Sequence, residues 1–154
     1  SGYNLRPTEV SAAIGHNQFK RLKEFISIRN YNRKLIINAF KISKILNNKI
    51  QIYQANNNVN PSWFGLSIKI NSKIKNIKNK IINKLENNGV ETRPIISGNF
   101  AEQPSAKIYK LVKNHKFKNT DHVYNNSFFI GLPTKKINNR FLKKIIFAFE
   151  KSFK

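Results

Sequence analysis

The stretch Trp63–Ile70 has the sequence WFGLSIKI, in which an apolar side chain recurs at every second position. Because successive side chains of a strand point to opposite faces of a sheet, this alternation predicts a half-buried β-strand with Phe64 on its buried face. A helix is predicted directly after it, since Ser72 can cap its start and Asn88-Gly89 can end it. A strand followed closely by a helix indicates an α/β domain. The apolar stripe of this helix consists of Ile74, Ile77, Ile81 and Leu85.

The sequence before this unit predicts helix. Residues 8–46 contain no proline and repeat apolar side chains at steps of three and four, which predicts one long helix or two in succession. Pro7 precedes a capping hydroxyl on Thr8 and an acid on Glu9, and both suit the positive end of a helix.

Shorter segments complete the predicted fold. Three further strands are expected, at Ile50–Tyr53, Val90–Ile96 and Phe128–Ile130, and a polar loop is expected at residues 56–61. Residues 97–104 are expected to form a turn-rich loop, followed by a short helix at Tyr109–Val112. The fold class is therefore α/β, with a small, mostly antiparallel sheet packed against helices. A last amphipathic helix, capped by Thr134, is expected to turn Phe141, Leu142, Ile145 and Phe149 inward.

Length and composition favour a single folded, cytoplasmic domain. The chain has 154 residues, of which 40% are hydrophobic and 12% aromatic, more than a disordered tail would carry. It has no cysteine, which excludes disulfides and thiolate metal sites, and its three histidines (His16, His115, His122) are too far apart for a metal pair. No apolar stretch approaches the length of about 20 residues that a membrane span needs, and no signal peptide is visible.

The net charge of +22 suggests an anionic partner such as nucleic acid. The lysines, however, are spread through Asn- and Ile-rich sequence, as in residues 71–80, and form no arginine-rich run. Compositional drift explains such a distribution better than a selected phosphate-binding surface does. A basic nucleic-acid-binding module therefore stays as the rival interpretation, and sequence-specific binding is not expected.

Two polar clusters are candidates for chemistry. Asn4 and Arg6 precede the first helix, where an amide and a guanidinium can meet an anion, although Asn4 can equally be a simple cap or turn residue. The second cluster contains Glu91 and Arg93 and continues to Asn99, and here Arg93 can also simply face solvent. No hydrolytic or phosphate-loop motif accompanies these clusters, so the residues alone lead only to a basic α/β domain.

A family resemblance extends this interpretation. Residues 2–15, GYNLRPTEVSAAIG, resemble a hallmark of the DegT/DnrJ/EryC1/StrS family, whose members are sugar aminotransferases and related dehydratases that depend on pyridoxal phosphate (PLP). The segments PSWFG at 61–65, GVETRPI at 89–95, GNF at 98–100 and FFIGL at 128–132 are similar to the branch that acts on keto-deoxysugars of lipopolysaccharide. The resemblance spans nearly the whole chain.

This resemblance implies that residues 1–154 are the C-terminal small domain of a fold type I PLP enzyme. The large domain, with the Schiff-base lysine or the histidine that replaces it in some dehydratases, would lie upstream of residue 1. No catalytic residue is then expected in this chain, which would be inactive alone. Such enzymes are homodimers whose active sites are shared between subunits.

The resemblance also implies roles for five residues. Asn4 would reach across the dimer to the cofactor phosphate, and Arg6 would lie near the substrate. Glu91, Arg93 and Asn99 would line the nucleotide-sugar pocket, where the planar fork of a guanidinium suits a diphosphate.

The expected substrate is a nucleotide-linked 4-keto-6-deoxy sugar used in lipopolysaccharide or other surface-polysaccharide biosynthesis. Transamination with glutamate is the expected reaction, and removal of the 3-hydroxyl is the alternative. The sugar, the nucleotide and the pathway stay open.

Overall fold

A computed structural model describes residues 7–71, 77–109 and 117–154. These residues form six helices and four short strands, and a short 3-10 turn at Phe100–Glu102 precedes the fourth helix. None of the described helices is long and apolar enough to cross a membrane. The helices are α1 (Glu9–Lys20), α2 (Leu22–Ile42), α3 (Ile77–Asn87), α4 (Pro104–Ile108), α5 (Lys118–Asn126) and α6 (Asn139–Ser152), and the strands are β1 (Ile50–Ile52), β2 (Gly65–Ile70), β3 (Thr92–Arg93) and β4 (Ser127–Gly131).

The strands form one sheet in the order β1-β2-β4-β3, and every neighbouring pair is antiparallel. The central pair runs from Gly65 opposite Gly131 to Lys69 opposite Ser127. The predicted antiparallel α/β fold is confirmed.

One face of the sheet is covered by helices and forms the core. The alternation predicted for β2 is confirmed, because Leu66, Ile68 and Ile70 are buried. Phe64 breaks the pattern: it precedes the strand and is 66% exposed, so its predicted burial is wrong. The core side chains from α2, α3 and α6 are Ile36, Ile37, Phe40, Ile81, Leu85, Ile145, Ala148 and Phe149.

The N-terminal helical region consists of two helices. The sequence predicted either one long helix or two in succession, and the second alternative is correct. Thr8 caps α1 through its Oγ1, which accepts from the amide of Ser11 at 3.3 Å. The chain leaves the α-helical pattern at Arg21, and α2 begins at the next residue. The helices differ in burial, since α1 buries none of its side chains and α2 buries a full stripe.

The predicted strand Val90–Ile96 is shorter than expected. Gly89 adopts a φ of 78° and ends α3 as predicted, but only Thr92–Arg93 pairs with β4. Pro94 has no amide hydrogen to donate to a ladder, and Ile96 has a φ of 47°, far from extended backbone. These two residues end the strand.

The segment between β3 and β4 also differs from the prediction. Helix α4 begins at Pro104, inside the predicted loop, because proline is favoured in the first turn of a helix. The predicted helix Tyr109–Val112 lies mostly outside the described residues. Helix α5 was not predicted, since its sequence KNTDHVYNN has too few apolar residues for a helical stripe.

The last helix begins later than predicted. Asn138, not Thr134, caps α6, because its Oδ1 accepts from the amide of Phe141 at 2.8 Å. Phe141 lies three residues after the cap and is 49% exposed, so its predicted inward orientation is wrong. Ile145 and Phe149 are buried as predicted. The predicted cap Ser72 lies outside the described residues.

Candidate functional site

The face of the sheet opposite the core helices carries a different set of residues. Because Leu66, Ile68, Phe128 and Ile130 point into the core, their strand neighbours point the other way. We call this second surface the open face. It consists of Gln51 on β1, Gly65, Ser67 and Lys69 on β2, Arg93 on β3, and Ser127, Phe129 and Gly131 on β4.

One end of the open face is closed by a tyrosine. The hydroxyl of Tyr53, just after β1, lies 2.9 Å from the Oγ of Ser127 on β4, so the side chain crosses over β2. Ser127 is buried as a result. The opposite end, where Gly65 faces Gly131, remains accessible.

Two of the predicted site residues, Glu91 and Arg93, meet beside this accessible end. Arg93 lies directly opposite Phe129, which places both side chains on the open face. The Nε and Nη2 of Arg93 donate to Oε1 of Glu91 at 3.0 and 2.7 Å. Both side chains are mostly exposed, so the pair contributes little stability. A guanidinium has five N–H donors, so two bonds leave Arg93 able to bind a ligand.

Asn99 is held differently, on the loop that follows β3. It is only 4% exposed and caps the 3-10 turn by accepting from the amide of Ala101 at 3.0 Å. Its Nδ2 donates to Oδ1 of Asp121 on α5 at 2.5 Å. The side chain therefore ties the loop to α5. Asn4 and Arg6 lie outside the described residues.

Two arginines of α2 stack on the aromatic residues before β2, a feature that the sequence did not reveal. The guanidinium of Arg29 lies 5.7 Å from the ring centre of Phe64, and that of Arg33 lies 3.7 Å from Trp63. Phe64 also contacts the Phe129 ring, with 6.2 Å between the ring centres. These contacts fix the aromatic segment at the edge of the open face.

Arg33 is a buried cation. Its Nη2 donates to the carbonyl of Tyr53 and to Oε1 of Gln54, both at 3.0 Å, while its Nε has no hydrogen-bond partner among the described residues. Burial lowers the pKa of the guanidinium from its ordinary value. The Trp63 ring lies beneath this guanidinium, and the backbone of Trp63 has a φ of 52°. The arginine thus stacks on a residue whose backbone conformation is strained.

Asn32 organises the loop after β4. It is fully buried, and its Nδ2 donates to the carbonyls of Pro133 and Lys135 at 3.0 and 2.8 Å. Its Oδ1 accepts from the amide of Ile137 at 3.1 Å. One sequence feature could have revealed this role. Asn32 lies one turn before Ile36 on the buried stripe of α2, where an apolar residue would be expected.

A metal ion needs a cluster of ligating side chains, and a Schiff base with PLP needs an available lysine amine. The described residues include no group of three His, Asp or Glu side chains that could hold a metal ion. The partly buried amine of Lys78 already donates to the carbonyl of Tyr124, and burial lowers its pKa. The amine of Lys78 is thus held within the fold, between α3 and α5.

Comparison with known proteins identifies the relatives of this fold. Residues 1–148 match the sequence profile of the DegT/DnrJ/EryC1/StrS aminotransferase family. The chain belongs to this family. The resemblance noted in its sequence motifs is thereby confirmed.

Two proteins similar to this chain show how much of each sequence the similarity covers. The chain is 32% identical over 131 residues to the GDP-4-keto-6-deoxy-D-mannose 3-dehydratase of Escherichia coli O55:H7, which covers 84% of this chain and 32% of that protein. It is 26% identical over 152 residues to the lipopolysaccharide biosynthesis protein RfbH of Salmonella typhimurium, covering 99% and 34% of the two chains.

A solved structure of the same family shares the fold. The E. coli GDP-4-keto-6-deoxy-D-mannose-3-dehydratase with bound hydrated PLP superimposes with a TM-score of 0.79 and 28% identity. The match covers 99% of this chain and 37% of that one. The chain thus spans about a third of the length of the relatives it matches.

Proposed function

We propose that this chain is the C-terminal domain of a PLP-dependent enzyme that acts on a nucleotide-linked 4-keto-6-deoxy sugar. The match of residues 1–148 to the sugar aminotransferase family carries this proposal. The open face would form this domain's side of the substrate site. Surface-polysaccharide biosynthesis in the cytoplasm is the proposed setting, in keeping with the Salmonella relative.

The accessible end of the open face suits a nucleotide-linked sugar. Arg93 offers N–H donors in a planar fork that matches two phosphate oxygens at once. Glu91, which orients Arg93, can accept hydrogen bonds from sugar hydroxyls. We propose that Arg6 and Asn99 complete this side of the pocket, with Asn99 acting from the loop that it ties to α5.

PLP would bind mostly to the remainder of the enzyme. When bound, it supplies an electron sink that stabilises negative charge on the substrate carbon. Within this chain, the amide of Asn4 is proposed to donate to the cofactor phosphate across a homodimer. The Schiff-base residue would lie in the large domain, so the isolated chain would bind no PLP and catalyse nothing.

Two reactions are compatible with this substrate. Membership in an aminotransferase family favours transamination, for which we propose glutamate as the donor, and the relative at 32% identity favours removal of the 3-hydroxyl. The residue at the Schiff-base position distinguishes them, since lysine supports transamination and histidine supports dehydration.

Product analysis tests the proposal. The full-length protein would be incubated with PLP, glutamate and GDP-4-keto-6-deoxy-D-mannose, with the 154-residue chain as a parallel sample. We expect an amino sugar or a 3-deoxy sugar from the full-length protein only. Turnover by the isolated chain would contradict the domain assignment, and a PLP-loaded full-length protein that forms neither product would contradict the substrate class.

The charge of +22 supports one rival function, nucleic-acid binding. If the charge is only compositional, DNA binding should be weak, at roughly 10⁻⁴ to 10⁻⁶ M, and should fall steeply with added salt. Sequence-selective binding that persists at physiological salt would favour the rival.

A further inference from the structure

The solvent-facing side of α6 carries an unusual combination of side chains. Its core side is formed by Ile145, Ala148, Phe149 and Ser152, which are buried. On the opposite side of the helix four cations and one aromatic ring are exposed. We call this surface the basic face, and it consists of Arg140, Lys143, Lys144, Phe147 and Lys151.

Phe147 lies in the middle of the basic face and is 62% exposed. Side chains three and four residues apart are neighbours on a helix, so Lys143, Lys144 and Lys151 surround its ring. The Nζ of Lys151 lies 6.0 Å from the ring centre. An apolar ring is thus presented to solvent within a circle of lysine amines.

The acidic residue nearest to this ring is held at the rim of the basic face. Glu150 also lies three residues from Phe147, but its Oε1 accepts from the hydroxyl of Ser43 at 2.6 Å. Ser43 is buried and follows α2 directly, so the carboxylate is drawn towards the protein. The neighbouring helix α3 adds the exposed Lys80 and Lys84. The outer surface of these two helices is therefore strongly cationic.

Compositional drift towards lysine accounts for cations at solvent-facing positions, but not for a phenylalanine in their midst. Single exposed apolar side chains are common on protein surfaces, so the surroundings of Phe147 decide its interpretation. An aromatic ring surrounded by amines matches the boundary of an anionic bilayer. There the ring can enter the region between headgroups and acyl chains, while the amines meet lipid phosphates.

A nucleic acid matches the basic face less well. Single strands bind in grooves along which several aromatic rings stack on successive bases, whereas this surface is the convex outer side of a helix with one ring in its middle. Three of its four cations are lysines, which act as point charges. Arginine, with its planar fork, is the side chain that nucleic-acid recognition favours.

We propose that the basic face docks this protein on an anionic phospholipid surface, with Phe147 inserted among the headgroups. Helix α6 belongs to the layer that covers the core face of the sheet, so its solvent-facing side points away from the sheet. The open face on the other side stays accessible while the protein is docked. Docking in this orientation is independent of the proposed sugar chemistry.

Vesicle sedimentation of the full-length protein tests this docking. Wild type should bind vesicles that contain phosphatidylglycerol, and should bind pure phosphatidylcholine vesicles about tenfold more weakly or worse, since several lysines lose their attraction. Phe147→Ser should weaken binding to the anionic vesicles about tenfold, because no apolar ring then leaves water. Phe147→Trp should retain the affinity, since tryptophan suits the membrane interface. Lys144→Ala should weaken binding about fivefold.

Lys118→Ala is the matched control, because it removes the same charge from an exposed position on α5. It should bind the anionic vesicles as wild type does, and thermal melts should show every variant to be folded. Absence of vesicle binding by wild type would overturn the docking, and so would equal affinities of Phe147→Ser, Lys144→Ala and Lys118→Ala. A loss of affinity for duplex DNA in Phe147→Ser as large as its loss on vesicles would also overturn it, because the basic face would then serve a nucleic acid.

Discussion

The two faces of the sheet differ in the residues that they present. The core face presents Leu66, Ile68, Phe128 and Ile130, each at most 4% exposed, in strict alternation along β2 and β4. The open face presents two glycines, an exposed ion pair and a phenylalanine laid over one of the glycines. Packing accounts for the first set, whereas the Arg93–Glu91 pair is mostly exposed, so we look for function on the open face.

The largest expected difference lies between adjacent residues of β4. Phe128 is fully buried and Phe129 is half-buried on the other face. Phe128→Ala should reduce the free energy of unfolding by about 3–5 kcal/mol, and Phe129→Ala by about 1–2 kcal/mol, because only the first leaves an enclosed cavity. Urea unfolding of both variants measures this. Equal losses would mean that the open face is packed as tightly as the core.

The helix-covered side also depends on one polar residue. Asn32→Leu keeps the volume but leaves the buried amide of Ile137 and two part-buried carbonyls without their partner. We expect a loss of about 2–4 kcal/mol in the free energy of unfolding. Asn138→Ala, which removes only an exposed helix cap, should cost about 1 kcal/mol. If Asn32→Leu left the free energy of unfolding unchanged, water would have to replace Asn32 as the hydrogen-bond partner of the loop.

Substitutions at the two facing glycines, Gly65 and Gly131, should differ in their effect on protein stability. Gly65→Ala forces a collision with Phe129 and should cost about 1–3 kcal/mol, as overpacking does. Gly131→Ala should change stability by less than about 0.5 kcal/mol, because its Cβ meets free space. Thermal melts of the isolated chain would compare them. A large loss at Gly131 would indicate a structural role.

The same contrast explains what the sequence could predict. Alternation along Trp63–Ile70 was enough for the core face of β2, because burial selects apolar side chains at a period of two. The contacts of Asn32 and Arg33 could not be predicted, since their partners lie at distant positions in the chain. Helix α5 has no apolar stripe to reveal it. The site roles of Glu91 and Arg93 came from family resemblance and remain predictions.

The smallest predicted effect concerns Lys78 on α3, whose amine donates to the carbonyl of Tyr124 on α5. Burial lowers its pKa below the ordinary 10.5, so the folded state loses the proton more readily than the unfolded chain. The cost of burying the charge is therefore present at low pH and is relieved as pH rises from the lowered pKa towards 10.5. Relative to Lys78→Met, wild type should gain stability across that window, as paired urea titrations would show. A pH-independent difference would contradict this.

Two arginines provide a direct test of whether the open face forms the substrate side of this domain, as we claim. Arg93 lies on the open face, whereas Arg140 is exposed at the start of α6, in the helix layer that covers the core face. Each alanine substitution removes one charge from a chain of +22, so general attraction for anions changes equally.

The measurement is the dissociation constant of GDP-mannose for the full-length protein with Arg93→Ala and with Arg140→Ala. Loss of a charged hydrogen bond should weaken binding about tenfold or more for Arg93→Ala. Arg140→Ala should bind as wild type does. Equal affinities for the two variants would contradict the claim.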